Sequence, residues 1–162
     1  MESHINGHNK KITSANKTSE EQGEGCNCRK KENCPVDGKC QRKSVIYEAT
    51  VKSTEGVKKY IGMAETTFKV RYTNHMMSLR NENYRNKTTL SNYIWDLKNN
   101  QVSYDIDWRL IDRSSTYDGT NRRCSLCLLE KFYILNGENL LNKRTELISK
   151  CRHRNKYAIK KV

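Results

Sequence analysis

The sequence predicts an α/β domain of the α+β kind: a small three-stranded sheet, antiparallel or mixed, flanked by helices and preceded by a zinc knuckle. Three observations carry this expectation. Apolar residues alternate singly in three segments and recur at helical spacing in others. Ahead of the first strand stand four closely spaced cysteines, Cys26, Cys28, Cys34 and Cys40. Alternation places every second side chain on one face of a strand, whereas spacings of three and four share one face of a helix.

The elements follow in order. Residues 1–25 hold almost no large apolar side chain and end in Gln22-Gly23-Glu24-Gly25, so a disordered head is expected. Residues 26–43 form the cysteine-rich knuckle. It contains the one proline, within Pro35-Val36-Asp37-Gly38, which is turn chemistry. The core spans 44–142. Val45, Tyr47, Ala49 and Val51 alternate with Ile46, Glu48, Thr50 and Lys52, as in a strand. A polar turn over Ser53 to Gly56 leads to a second strand from Lys58 to Met63, making a hairpin. Thr66 or Thr67 can cap the next helix, where Phe68, Tyr72, Met76 and Leu79 form an apolar stripe. A second helix turns Leu90, Ile94 and Leu97 inward and stops at Asn99-Asn100. Val102, Tyr104, Ile106, Trp108 and Leu110 mark the third strand. A polar loop from Asp112 to Arg123 precedes an apolar helix from near Cys124 to about Leu135, and a short amphipathic helix is expected over Lys143 to Lys150. The order is β-β-α-α-β-α, a topology that alone specifies no function.

Charge and cysteine usage narrow the classes. The formal net charge is +13. Residues 143–162 carry eight basic side chains (Lys143, Arg144, Lys150, Arg152, Arg154, Lys156, Lys160, Lys161) against Glu146 alone, a net of +7. A phosphate polyanion suits such an arm, although a charge run can also be simply solvated. No stretch reads as a membrane span or a secretory signal. A reducing compartment is therefore expected, which argues against a disulfide framework. The seven cysteines with His153 make eight possible ligands, enough for two tetrahedral zinc sites. Cys26, Cys28, Cys34 and Cys40 would form one. Cys124, Cys127, Cys151 and His153 would form the other and clamp the basic arm to the helix bearing Glu130. Four protein ligands leave no open position, so both would be structural. The alternative for the second set is that its cysteines are small packing residues.

Five residues could carry chemistry. Tyr47 lies mid-strand and Tyr60 begins Tyr60-Ile61-Gly62 on the partner strand. Arg71 and His75 stand at i, i+4 and share a helix face, at the edge of the apolar stripe and toward the sheet. Glu130 is expected to be enclosed by Leu128, Leu129, Phe132 and Ile134, and a carboxylate in an apolar helix is costly unless paired or metal-bound. Taken singly, each is weak: strand tyrosines usually pack, and Arg/His pairs are usually surface accidents.

Their order is what resembles a family. Val45-Ile46-Tyr47 followed by Tyr60-Ile61-Gly62 resembles the paired motifs of the GIY-YIG nuclease superfamily. The departure is Val45 in place of the first glycine. Arg71 and His75 look like that family's helical Arg and His/Tyr positions, and Glu130 like its metal-binding glutamate. Asn142 looks like its trailing asparagine, with Asn136 and Asn139 as competitors. Cys26-Asn27-Cys28-Arg29-Lys30-Lys31-Glu32-Asn33-Cys34-Pro35, Ser91-Asn92-Tyr93-Ile94-Trp95-Asp96-Leu97-Lys98, Arg123-Cys124-Ser125-Leu126-Cys127-Leu128-Leu129-Glu130-Lys131 and Leu147-Ile148-Ser149-Lys150-Cys151-Arg152-His153-Arg154-Asn155-Lys156 are similar to endonuclease modules of Penelope-like retroelements.

That resemblance implies metal-assisted phosphodiester hydrolysis of DNA in the nucleus. Glu130 would hold Mg²⁺ or Mn²⁺, and Tyr47, helped by His75, would activate or orient water. As a base, Tyr47 would need its pKa lowered by a metal or cation. Arg71 would stabilise phosphate charge and Tyr60 would position water or phosphate. The element's RNA and a reverse transcriptase encoded elsewhere are further implied partners, and the chain would be a detached domain, a fragment or a domesticated copy. Two other readings stay open: a non-catalytic zinc module that binds nucleic acid, and a protein–protein adaptor, which explains the charge poorly.

Overall fold

A computed structural model describes residues 25–117, 119–120, 124–151 and 153. Residues 1–24 of the expected head, and Arg152, Arg154, Lys156, Lys160 and Lys161 of the expected arm, lie outside the described residues. β1 (Lys43–Ser53) and β2 (Gly56–Thr67) form a hairpin, followed by α1 (Phe68–Arg80) and α2 (Thr89–Asn99). Then come β3 (Tyr104–Arg113), α3 (Ser125–Asn136) and a single turn, α4 (Arg144–Leu147). The sheet is antiparallel in the order β2-β1-β3, an α+β architecture with helices packed on the sheet.

β1 is therefore the central strand, and it is buried on both faces. Val45, Tyr47, Ala49 and Val51 join Phe68, Leu90, Ile94, Leu97 and the knuckle's Cys34, Val36 and Cys40 in one core. Ile46 faces the other way, into a second core with Ile61, Leu126 and Cys127. The sequence pattern gives a strand but does not say what covers its second face. In the structure, α3 covers it. Glu48 is buried there, and Arg109 Nε donates to its Oε1 at 2.9 Å with Lys59 3.8 Å away. Such pairing is what a buried carboxylate requires.

The helices are capped as their sequences suggest. Thr67 Oγ1 accepts from Val70 N at 3.4 Å. Thr88 and Ser91 form a reciprocal capping box at the start of α2. Between the two helices lies an unanticipated 3-10 segment, Glu82–Lys87, that buries none of its residues. Arg85 holds it. Its Nε and Nη2 donate to Asn92 Oδ1 at 3.2 and 3.1 Å, and Nη2 donates to Asp96 at 2.7 Å. A tertiary fork of this kind leaves no periodicity to read.

The C-terminal part departs most from expectation. On α3, Leu128 and Phe132 are exposed and do not enclose Glu130. Glu130 lies three residues after Cys127 and four after Leu126, on the packed face, where it is half-buried. The expected helix over Lys143 to Lys150 is one turn with nothing buried. Residues 139–142 instead run beside β2. Lys59 N donates to Asn139 O (2.9 Å) and Leu141 N donates to Lys59 O (2.7 Å). Asn142 brackets Ile61, accepting from its N–H and donating to its carbonyl, both at 2.8 Å. This segment satisfies the outer edge of β2 next to Tyr60.

Two cysteine clusters could hold zinc. The sulfurs of Cys26, Cys28, Cys34 and Cys40 lie within 4.8 Å of one another, as do those of Cys124, Cys127 and Cys151. Cys28 N donates to Cys26 Sγ at 3.3 Å, a bond that favours a thiolate. His153 is not part of the second three-sulfur group. Its Nδ1 is 3.4 Å from Cys151 Sγ, but Tyr117 stacks on the ring at 4.0 Å and Glu65 pairs with Nε2 at 2.7 Å. A carboxylate on the far nitrogen is the partner that orients metal-ligating histidines elsewhere.

The register pairs Tyr47 with Gly62 across the hairpin. A Cβ on Gly62 would come within 2.5 Å of Tyr47 Cζ and closer still to its hydroxyl. Gly62→Ala is thus expected to destabilise the domain by about 1–3 kcal/mol in urea unfolding, by overpacking. Metal analysis of protein purified without added zinc should find about two zinc ions per chain. Cys40→Ser should lose one of them and lower the melting temperature, because zinc-binding free energy is also folding free energy. A metal-free protein that melts like wild type would contradict that expectation.

Candidate active site

Four of the six residues suggested for chemistry meet in one place. Tyr47 reaches it from the central strand, where it is fully buried. Arg71 and His75 reach it from successive turns of α1. Tyr47 Oη is 2.7 Å from His75 Nε2, and Arg71 Nε donates to it at 3.2 Å. Tyr60, from the edge strand, lies with its ring centroid 5.7 Å from that of His75. Local sequence explains the meeting. The spacing of four on α1 aligns Arg71 with His75, and the hairpin register puts Gly62 where a side chain would displace the Tyr47 ring.

The electrostatics follow from burial. Desolvation pushes Tyr47 up to about 12, with Arg71 pulling the other way. Tyr60 is raised further, again by burial first. Burial, and then the charge of Arg71, hold His75 down to about 3. His75 is therefore neutral at ordinary pH, and its Nε2 can accept the Tyr47 hydroxyl proton. The phenolic oxygen then donates to His75 and accepts from Arg71. Arg71 acts in the direction that a tyrosine base requires, but burial outweighs it.

Glu130 approaches from α3. Burial raises its carboxyl to about 7, Glu146 adds to the rise, and Arg71 opposes it. Its charge in turn raises Tyr47 and Tyr60, so it lies within electrostatic reach of the group. Asn142 is not in the group. It acts one residue away, on the backbone of Ile61. Of its competitors, Asn136 turns its side-chain amide to Phe132 O, and Asn139 pairs with Lys59 through its backbone carbonyl, which accepts from Lys59 N.

Sequence reasoning passed over three contributors. Trp108 on β3 packs its ring 5.3 Å from His75 and 6.0 Å from Tyr47. It was legible only as one more apolar residue in an alternation. Gly62 was readable in Tyr60-Ile61-Gly62, but not the reason for it. Glu146, in the basic stretch on α4, lies within electrostatic reach of Glu130, and nothing in its spacing signals this. The arm's described members, Lys143, Arg144 and Lys150, are exposed, as a phosphate-binding role needs. The two cysteine clusters remain the candidates for structural metal. No helix among the described residues is long and apolar enough to cross a membrane.

Between α1 and the 3-10 segment, a cleft of about 330 Å³ borders the group and is lined by Arg71, Asn74, His75, Tyr84 and Lys87, among others. The arrangement can hold an anion against Arg71, orient a proton donor at Tyr47 Oη, and place a carboxylate nearby. No protein-family model, curated protein or solved structure matches this chain.

Proposed function

We propose that the protein is a divalent-metal-dependent DNA endonuclease of the GIY-YIG type, a retroelement nuclease that nicks target DNA. The single observation that supports it best is the buried Tyr47–His75–Arg71 hydrogen-bonded group, with the Glu130 carboxylate in electrostatic reach. These residues come from three elements, β1, α1 and α3, and packing alone does not require a polar group of this kind at the centre of a core.

The donor chemistry fits a hard cation. Glu130 is a carboxylate that burial and Glu146 both disfavour as an anion, and a cation would offset both. Mg²⁺ or Mn²⁺ held by Glu130 would supply Lewis-acid stabilisation of the leaving oxygen. The rest falls to the chain. Arg71 clamps a phosphate oxygen. Tyr47, already donating to His75 and accepting from Arg71, turns its remaining lone pair to the attacking water. As water gives up a proton to Tyr47 Oη, the phenol passes its own to His75 Nε2. A phosphate anion against Arg71 cancels the charge that helps hold His75 neutral, so substrate binding itself makes His75 a better acceptor. Exposed Lys143, Arg144 and Lys150 would track the DNA backbone.

One observation favours a second reading, a non-catalytic zinc module that binds nucleic acid. Tyr47 and Tyr60 are core residues, and burial makes both poor bases. A plasmid-nicking time course separates the two. Tyr47→Phe, Arg71→Ala and Glu130→Gln should each slow Mg²⁺-dependent nicking on the order of a hundredfold or more, with circular dichroism and DNA binding unchanged. Tyr93→Phe, on α2 and outside the group, should cut like wild type. Wild-type rates for both Tyr47→Phe and Glu130→Gln would misplace the active site, and a wild-type protein that binds DNA but never cuts would favour the zinc module.

A further inference from the structure

We propose that the cleft beside Arg71 is a subsite for one unpaired nucleotide next to the phosphate that is cut, its base stacking on Tyr84 and its phosphate meeting Lys87; this rests on the endonuclease reading above. The cleft, about 330 Å³, falls at the lower end of the range for small-ligand sites. It shares Arg71 and His75 with the catalytic group, so a nucleotide in it would adjoin the reacting phosphate. No aspartate or glutamate lines it, whereas Arg71 and Lys87 do, which suits an anion.

Its outer wall is built as a stacking platform. Tyr84 is 42 % exposed, and Lys87 Nζ lies 6.0 Å from the centre of its ring. Aromatic stacking with a neighbouring cation is the sequence-tolerant way to hold a base. The amide of Asn74, in the same cleft, offers both donor and acceptor to a base edge. The segment carrying Tyr84 and Lys87 buries nothing, yet it is fixed. Arg85 ties it to Asn92 and Asp96, and Ser91 Oγ donates to Arg85 O at 2.7 Å. The hydrogen bonds hold in place two exposed side chains that both line the cleft.

The ligand must be unpaired. Stacked base pairs offer a protein only their edges, so the face of Tyr84 is open only to a base out of the stack. Gapped, flapped or locally opened DNA would fit, and intact duplex would not.

The test uses the full chain with its zinc in place and no Mg²⁺ or Mn²⁺ added, so that nothing is cut, and a 2-aminopurine probe. The probe is unpaired in a one-nucleotide gap, or paired in intact duplex. Wild type should quench the gap probe and leave the duplex probe bright. Tyr84→Leu should lose the quench and bind gapped DNA roughly tenfold more weakly, the worth of one stacked base. Tyr84→Phe should match wild type. Equal quenching of gap and duplex probes by wild type, or a Tyr84→Leu variant that quenches and binds as wild type does, would overturn the subsite. Quenching without Mg²⁺-dependent nicking would keep the subsite and remove the nuclease. Nicking without quenching would do the reverse.

Discussion

A phenol at the centre of a small sheet is expensive to bury unless its hydroxyl finds partners, and Tyr47 finds two, His75 and Arg71. Much of the structure answers to that requirement. Helix α1 must lie across β1 with one particular face inward. The residue opposite Tyr47 on β2 must lack a side chain, and Gly62 does. Trp108 closes the remaining side, and Asn142 fixes the backbone of β2 one residue from Tyr60. The same burial holds His75 neutral, which is what lets the pair share a proton.

The core built around this pair is modest, and much of what remains is polar. Two cysteine clusters stand where added stability has most effect. One brings the knuckle into the core that holds Tyr47. The other ties the first turn of α3 to Cys151, and so fixes the helix that carries Glu130. If zinc fills both, metal-folded segments brace both the core that holds Tyr47 and the helix that carries Glu130. This would let a short, strongly charged chain keep a polar group in its interior.

Alternation and helical spacing were enough to place all three strands and the three long helices, because each of those elements carries apolar residues at its own period on a buried face. They failed where a neighbour in space decides. The alternation in β1 does not reveal that Ile46 and Glu48 are buried as well, since that depends on α3 packing there. Glu130 reads as wrapped by Leu128 and Phe132, but residues two apart on a helix do not face each other. The Glu82–Lys87 segment depends on one arginine fork, which no periodicity signals. Tyr47, Arg71 and His75 were legible as a group only through the order of motifs. Their contact depends on the strand register and the angle of α1, which sequence spacing does not contain.

The most direct measurement of the central pair is a ¹⁵N NMR titration of the histidine imidazoles. If the Tyr47 hydroxyl and His75 Nε2 share a proton in a buried group, His75 stays neutral from pH 8 down to about 4, consistent with a pKa held to about 3. Its Nε2 resonance should be that of a hydrogen-bonded acceptor, and Tyr47→Phe should move it. A His75 that titrates near the ordinary value of about 6.5, with no response to Tyr47→Phe, would contradict the account.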